Sequence, residues 1–342
     1  HLESIFGISQ DEVKGVLSHL KPRLHPDDLP LLRRALVEHL KGRSDGYCVE
    51  YRVRHADGRW RWVEDRGTLV ELIGRRFQGQ RIVVAGSASE FIARLTAAVA
   101  RSGGRQVWLP ALAYGDYAHA AQAWGLQRVN EPAQADLLWL CEPASPLGNA
   151  EPMANTVAGQ GGAVVLDRAY EPLRLSGHCS LGADALDRVW QLWSPNKALG
   201  LTGVRGAYAI APLQGLALAR SLEQMAPSWP LGAHAVAMLT AWVQADTQRW
   251  LAQSREQLTT WKAAQVACLG EAGWVCLPSE ANYVCARAPH ALDVPALRAQ
   301  GIKLRDTTSL GLPGHWRLGV LPPAAQQALH TAVLETTKET SP

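Results

Sequence analysis

The stretch Ser194-Pro-Asn-Lys197-Ala-Leu-Gly-Leu-Thr-Gly-Val-Arg205-Gly-Ala-Tyr208 holds the sharpest chemistry in the sequence. A lysine follows the apolar run Val189 to Trp193, and a Gly-rich turn and Arg205 follow the lysine. A lysine amine forms a Schiff base with an aldehyde when a partly desolvated, cationic setting lowers its pKa. A phosphate held beside it needs an arginine fork and hydroxyl donors. Ser194, Lys197 and Arg205 supply all three, although spacing alone also fits a surface lysine after a core strand.

The surrounding elements alternate. Strands are predicted at 106–109, 137–141, 163–166, 189–193 and 206–210, with helices at 89–100 and 117–124. This predicts an α/β fold around a mostly parallel sheet, with polar site residues at the strand carboxyl ends. Residues 213–271 read mostly as helix, and 274–338 as a smaller α+β unit. Gly86-Ser87-Ala88 precedes the first of these helices, where a helix N-terminus offers backbone N–H groups to a phosphate. Such turns are also common helix caps.

Residues 1–85 read differently. A helix is predicted over 30–41, then an alternating strand over 48–54 with Val49, Tyr51 and Val53 on one face. Ala56-Asp57-Gly58-Arg59 signals a hairpin, followed by strands at 60–64, 67–72 and 80–85. Charged residues number 27 of the first 85 and 38 of the remaining 257, a shift that predicts two domains of different origin. The expected division is 1–85, 86–245 and 246–342.

The net charge of +3 does not point to nucleic acid or an anionic membrane as the main partner. No apolar run approaches the length of a membrane span. The six cysteines form no CxxC pair and no metal spacing, and read as thiols of a reducing cytoplasm. The chain opens on His1 with no signal-peptide pattern, which reads as a fragment or processed product.

His25-Pro-Asp-Asp28 and the run Glu50-Tyr-Arg-Val-Arg-His-Ala-Asp-Gly-Arg-Trp-Arg-Trp62 resemble the PAS domains of bacterial sensor proteins. The resemblance implies a partial α+β sensor domain without its opening strands. A β-rich dimerisation module is the competing reading.

The lysine stretch resembles that of the fold-type I pyridoxal-phosphate enzymes, the class I/II aminotransferases, and five further segments match. The resemblance implies a large cofactor-binding α/β domain and a smaller α+β C-terminal domain. It places the cofactor phosphate at Gly86, Ser87, Ala88, Ser194 and Arg205. In Pro110-Ala-Leu-Ala-Tyr114, the tyrosine maps to the residue that stacks on the pyridine ring. In Val164-Val-Leu-Asp167-Arg-Ala-Tyr170, Asp167 would face the ring nitrogen and Tyr170 the ring hydroxyl, with Arg168 at a non-contact position normally held by Glu. Cys141-Glu-Pro-Ala-Ser145-Pro-Leu-Gly148 carries Ser145 where the family has an Asn on the phenolic oxygen. Arg317 maps to the arginine that takes the substrate carboxylate. Asn282 fits a family segment with less chemistry, and His315 reads as a strand-end residue.

The run Gly301-Ile-Lys-Leu-Arg-Asp-Thr-Thr-Ser-Leu-Gly-Leu-Pro-Gly314 is similar to the histidinol-phosphate aminotransferase group, which includes the threonine-phosphate decarboxylases of cobalamin synthesis. The resemblance implies a cytoplasmic homodimer acting on an amino acid or amino-acid phosphate, lacking the family's N-terminal arm. The alternative is a sensory or binding fusion whose shortened enzyme part binds cofactor with little or no turnover.

Overall fold

The computed structural model describes residues 23–32, 47–67 and 81–338. The chain divides into two compact units, His1–Gly79 and Gln80–Pro342.

In the first unit, β1 (Tyr47–Arg54) and β2 (Trp60–Gly67) pair antiparallel with Arg54 opposite Trp60. The Asp57-Gly58 turn joins them because Gly58 adopts a left-handed φ of +84°, open to glycine at little cost. Val49, Tyr51 and Val53 are buried, as the alternation predicts. The expected helix begins at Leu29 and is followed to Leu32; its remainder lies outside the described residues. The strand expected at 67–72 also lies outside them after Gly67.

The Asp28 carboxylate accepts the Arg52 backbone N–H and both arms of its guanidinium, each at 2.8 Å. These bonds hold the Asp28 pKa at about 2, below its usual 3.8. A lowered carboxylate pKa contributes stability above the unfolded value and loses it as pH falls toward the folded one. The β1–β2 hairpin should therefore lose amide protection between pH 4 and pH 2, and Asp28→Asn should flatten that acid dependence in a hydrogen-exchange titration.

The strand expected to close the N-terminal sheet belongs to the second unit. It forms β3 (Ile82–Ala85), pairing antiparallel with Ala207–Ile210. The unit boundary accordingly falls after Gly79 and not at residue 85. Ile82, Val83 and Ala85 are all buried. Such a run suits a sheet covered on both faces, not the half-polar alternation of β1.

The second unit contains β4 (Gln106–Trp108), β5 (Gln127–Val129), β6 (Leu137–Cys141), β7 (Ala163–Asp167), β8 (Trp190–Trp193) and β9 (Ala207–Ile210). With β3 they form a seven-stranded sheet in the order β3-β9-β8-β7-β6-β4-β5. Only the pairs involving β9 are antiparallel. Strand β6 shows why the sheet is covered on both faces. Leu137 and Trp139 enter a core with Phe91 and Leu95 of helix Ala88–Arg101. Leu138 and Leu140 enter the opposite core with Val157 and Leu166.

Helix Ala245–Glu271 leads to β10 (Val275–Cys276), β11 (Tyr283–Arg287), β12 (Arg305–Asp306) and β13 (Trp316–Gly319). These form an antiparallel sheet ordered β10-β11-β13-β12. Leu269, Trp274, Val284, Leu318 and Leu329 make its core. Among the described residues no helix is long and apolar enough to cross a membrane.

Candidate active site

The large sheet collects the candidate residues at one edge. Strands β3, β4, β6, β7 and β8 run the same way, so their carboxyl ends deliver the segments after Ala85, Trp108, Cys141, Asp167 and Trp193 to that edge. Strand β9 runs opposite, so its beginning brings Arg205 there too. A cavity of about 420 Å³ opens at this edge. Its wall contains Ser87, Ala88, Tyr114, Ser145, Asp167, Tyr170, Ser194, Lys197, Arg205 and Arg317.

Gly86 is the exception. It is not in the wall, and its N–H donates to the Glu90 carboxylate at 3.2 Å. Ser87 Oγ in turn accepts the Glu90 N–H at 3.0 Å, capping helix Ala88–Arg101. Glycine is favoured at 86 because a Cβ there would stand 3.2 Å from the Pro230 carbonyl. By helix geometry the N–H groups of Ala88 and Ser89 have no acceptor within the helix. Both residues line the same cavity.

Asp167 ends β7 on the cavity floor and is buried. One oxygen accepts from Tyr117 Oη at 2.7 Å and the other from the Ala169 N–H at 2.9 Å. Burial raises its pKa, while the Lys197 charge and the Tyr117 hydroxyl pull it down. Tyr117 is itself fully buried and stacks on Trp139 with ring centres 4.6 Å apart. Burial and the neighbouring carboxylate push its phenol well above the usual value, so it remains a donor to Asp167. Sequence reasoning missed this role. The helix begins at Gly115, which turns Tyr117 inward and leaves Tyr114 exposed at the site.

Lys197 is exposed to the cavity, with Nζ 5.3 Å from the Tyr170 ring centre. Ser194 is buried and donates to Asn196 Oδ1 at 2.7 Å. Arg205 is exposed at the same wall.

Arg317 projects from β13 in the small sheet. It donates to Ser145 Oγ at 3.1 Å and to Tyr170 Oη at 2.9 Å, over the Tyr283 ring. Ser145 and Tyr170 were expected against the ring oxygen; here both serve as acceptors for Arg317. Arg168 lies outside the wall, stacked on Trp193 and bonded to Gln191. His315 and Asn282 are not wall residues.

The wall also holds Ser89, Cys141, Asn196, Thr202 and Arg305, none of them singled out from the sequence. Arg305 is the chief omission. It stands directly opposite Arg317 in the β12–β13 pair. The distance between them in sequence hid that pairing. Cys141 is buried beside Asp167, and burial pushes its thiol far up, so it is inert.

Comparison with known proteins gives the family and the fold. Residues 1–78 match the PAS fold, and residues 66–333 match the family aminotransferase class I and II. Histidinol-phosphate aminotransferase of Methanoculleus marisnigri is 26% identical over 285 residues, covering 75% of this chain and 77% of that protein. Histidinol-phosphate aminotransferase 2 of Archaeoglobus fulgidus is 28% identical over 181 residues, 52% of this chain and 51% of that protein. The chain therefore spans about half the length of that second relative.

Among solved structures, L-threonine-O-3-phosphate decarboxylase of Porphyromonas gingivalis superposes with a TM-score of 0.65 at 19% identity, over 80% of this chain and 89% of that one. Histidinol-phosphate aminotransferase of Sinorhizobium meliloti, solved with pyridoxal-5'-phosphate, gives 0.63 at 18%, over 80% and 81%. At these identities the likeness establishes the fold. The family match spans most of the chain, and the chain belongs to the aminotransferase class I and II family. It is an enzyme of the transaminase kind, with a PAS fold at its N-terminus.

Proposed function

We propose that the cavity binds pyridoxal 5'-phosphate and that the chain transaminates or decarboxylates an amino acid bearing a second anionic group, such as an amino-acid phosphate. The carrying observation is that Lys197, Asp167, Arg205 and the start of helix Ala88–Arg101 all face one cavity. The wall chemistry fits the cofactor. Arg205, Ser87, Thr202 and the N–H groups of Ala88 and Ser89 form a donor-rich phosphate end. Asp167 supplies a buried carboxylate for a protonated ring nitrogen, and Tyr114 an aromatic face.

Bound there, the cofactor supplies an electron sink for the bonds at the substrate α-carbon. Lys197, on the cavity wall, would hold the cofactor and move the proton at Cα. Asp167 would face the ring nitrogen and favour its protonated form, and Tyr117 holds Asp167 in place. Arg317 takes the α-carboxylate. Arg305, opposite it, takes the second anion, which favours phosphorylated substrates over neutral ones.

Arg317→Ala should raise KM by roughly 10–100-fold, the range for hydrogen bonds to a charged group, with a smaller effect on kcat. Arg317→Lys should recover little, because an ammonium cannot present the bidentate fork. Steady-state kinetics with O-phospho-L-threonine and L-histidinol phosphate check this and separate the two branches. If neither phosphate compound is turned over while an unphosphorylated amino acid is, the substrate assignment fails.

We also propose that the enzyme works as a homodimer in the cytoplasm. Membership of the aminotransferase class I and II family supports the first, and the free thiols of Cys141, Cys179, Cys268, Cys276 and Cys285 support the second. A second reading rests on the separate N-terminal unit: a sensory fusion with low turnover. Stoichiometric cofactor uptake without turnover of any amino acid favours that reading.

A further inference from the structure

Arg174 lies in the loop after β7, and its side chain is almost entirely buried. Its Nη2 donates to Glu142 Oε1 at 3.0 Å, its Nε to Glu171 Oε2 at 3.0 Å, and its Nη1 to Glu280. Glu142 is wholly buried, and its other oxygen has no hydrogen-bond partner. Arg174 therefore compensates a charge that has no access to solvent.

Each carboxylate stands next to one part of the Arg317 site. Glu142 opens the turn that carries Ser145. Glu171 follows Tyr170. Glu280 belongs to the segment leading into β11, where Cys285 lies opposite Arg317. Ser145 and Tyr170 are the two acceptors of the Arg317 guanidinium. One buried arginine thus ties together the three segments that hold Arg317 in place.

The backbone closes along the same seam. Glu280 and Ala281 donate to the Gly148 carbonyl, and Leu175 donates to the Glu280 carbonyl. Tyr283 Oη donates to the Ala144 carbonyl at 2.7 Å. Lys262 reaches from the long helix to the Ser279 and Ala281 carbonyls. Two glycines permit the close approach. Gly148 has φ +77°, and a Cβ there would lie 2.3 Å from Ser279 Oγ. Gly177 has φ +68°, and a Cβ there would lie 2.8 Å from the Glu280 carboxyl carbon.

A buried ionic network is weak evidence for stability, because apolar packing of similar volume often does as well. Its position here argues for another role. We propose that Arg174 is a positioning residue for substrate binding: it fixes the seam between the large and small sheets so that Arg317 presents its fork to the cavity. This rests on the reading of Arg317 as the substrate-carboxylate residue.

The test uses the full chain with Arg174→Lys and Glu280→Gln. The first keeps the charge and loses the fork. The second removes only the charge of the link to the small-sheet segment and leaves Arg174 with two carboxylates, so it perturbs the fold less than the first. Two readouts are taken. Hydrogen exchange needs no activity: segments 142–148, 279–287 and 316–319 should exchange faster, and helix Ala88–Arg101 should not change. Kinetics with O-phospho-L-threonine should show KM raised on the order of tenfold, with kcat and pyridoxal-phosphate affinity within about twofold. Unchanged exchange in those segments overturns the proposal, as does a KM that stays at the wild-type value in a variant of altered stability. A wild-type chain that takes up no cofactor contradicts the proposed function instead, and exchange alone then decides the seam.

Discussion

Alanine in place of Lys197 should lower turnover by a factor on the order of 10³ or more, toward the upper range for a residue that transfers protons in the rate-limiting chemistry. The loss has two sources. The amine that would hold the cofactor is gone, and with it the wall's lysine Nζ that would exchange a proton with Cα. Arginine at 197 should fail as well, because a guanidinium is never deprotonated and cannot act as base or nucleophile. Stability should hardly move. Lys197 is exposed to the cavity, and exposed substitutions usually change stability by no more than about 0.5 kcal/mol. Activity lost at an unchanged melting temperature is therefore the expected signature. Equal losses of both would point to a structural lysine.

Asp167→Asn should lower kcat by about 10²–10³-fold, the size of one preorganised electrostatic contact removed from an enclosed site. The amide is nearly isosteric, so the Tyr117 and Ala169 donors can still be met by its one oxygen in part. What it lacks is the negative charge. Burial already raises the pKa of this carboxyl, and only the Lys197 charge and its two hydrogen bonds oppose that. A cationic ring beside it would hold it ionised more firmly. Tyr117→Phe should follow in the same direction with a smaller effect, since it removes one bond and leaves the charge. A kcat for Asp167→Asn equal to wild type would remove Asp167 from the chemistry.

The reading of the site depended on signals local in sequence. An apolar run ending at Asp167, and another ending just before Ser194, announce strands whose carboxyl ends carry polar groups. The Gly-rich turn after Lys197 was legible in the same way. What escaped was set by pairing between distant segments. Ile82–Ala85 follows a β-rich stretch and reads as its last strand, yet its partner lies at Ala207–Ile210. Hydropathy identifies a strand and says nothing of which sheet it joins. Arg305 and Arg174 were missed for the same reason: their neighbours come from the register of β12 on β13 and from the loop around Glu280. Edge strand β5 was missed because its Gln127 and Arg128 are exposed, which leaves no apolar run to read.

Ser145 is instructive in another way. Judged against the family pattern it reads as a weakened cofactor contact. In the structure its hydroxyl accepts from Arg317, beside the hydroxyl of Tyr170. A short side chain at this point lets the guanidinium approach the turn directly. The departure from the pattern therefore bears on Arg317, the proposed substrate residue, through a direct hydrogen bond.

The central claim is that Lys197 is the residue to which pyridoxal phosphate attaches. The most direct measurement adds the cofactor to the purified chain, records its visible absorption, reduces with borohydride and maps the modified peptide. The account predicts one pyridoxyl label per chain, on Lys197, in the peptide containing Ser194-Pro-Asn-Lys197. A folded protein that takes no label, or takes it on another lysine, would contradict it.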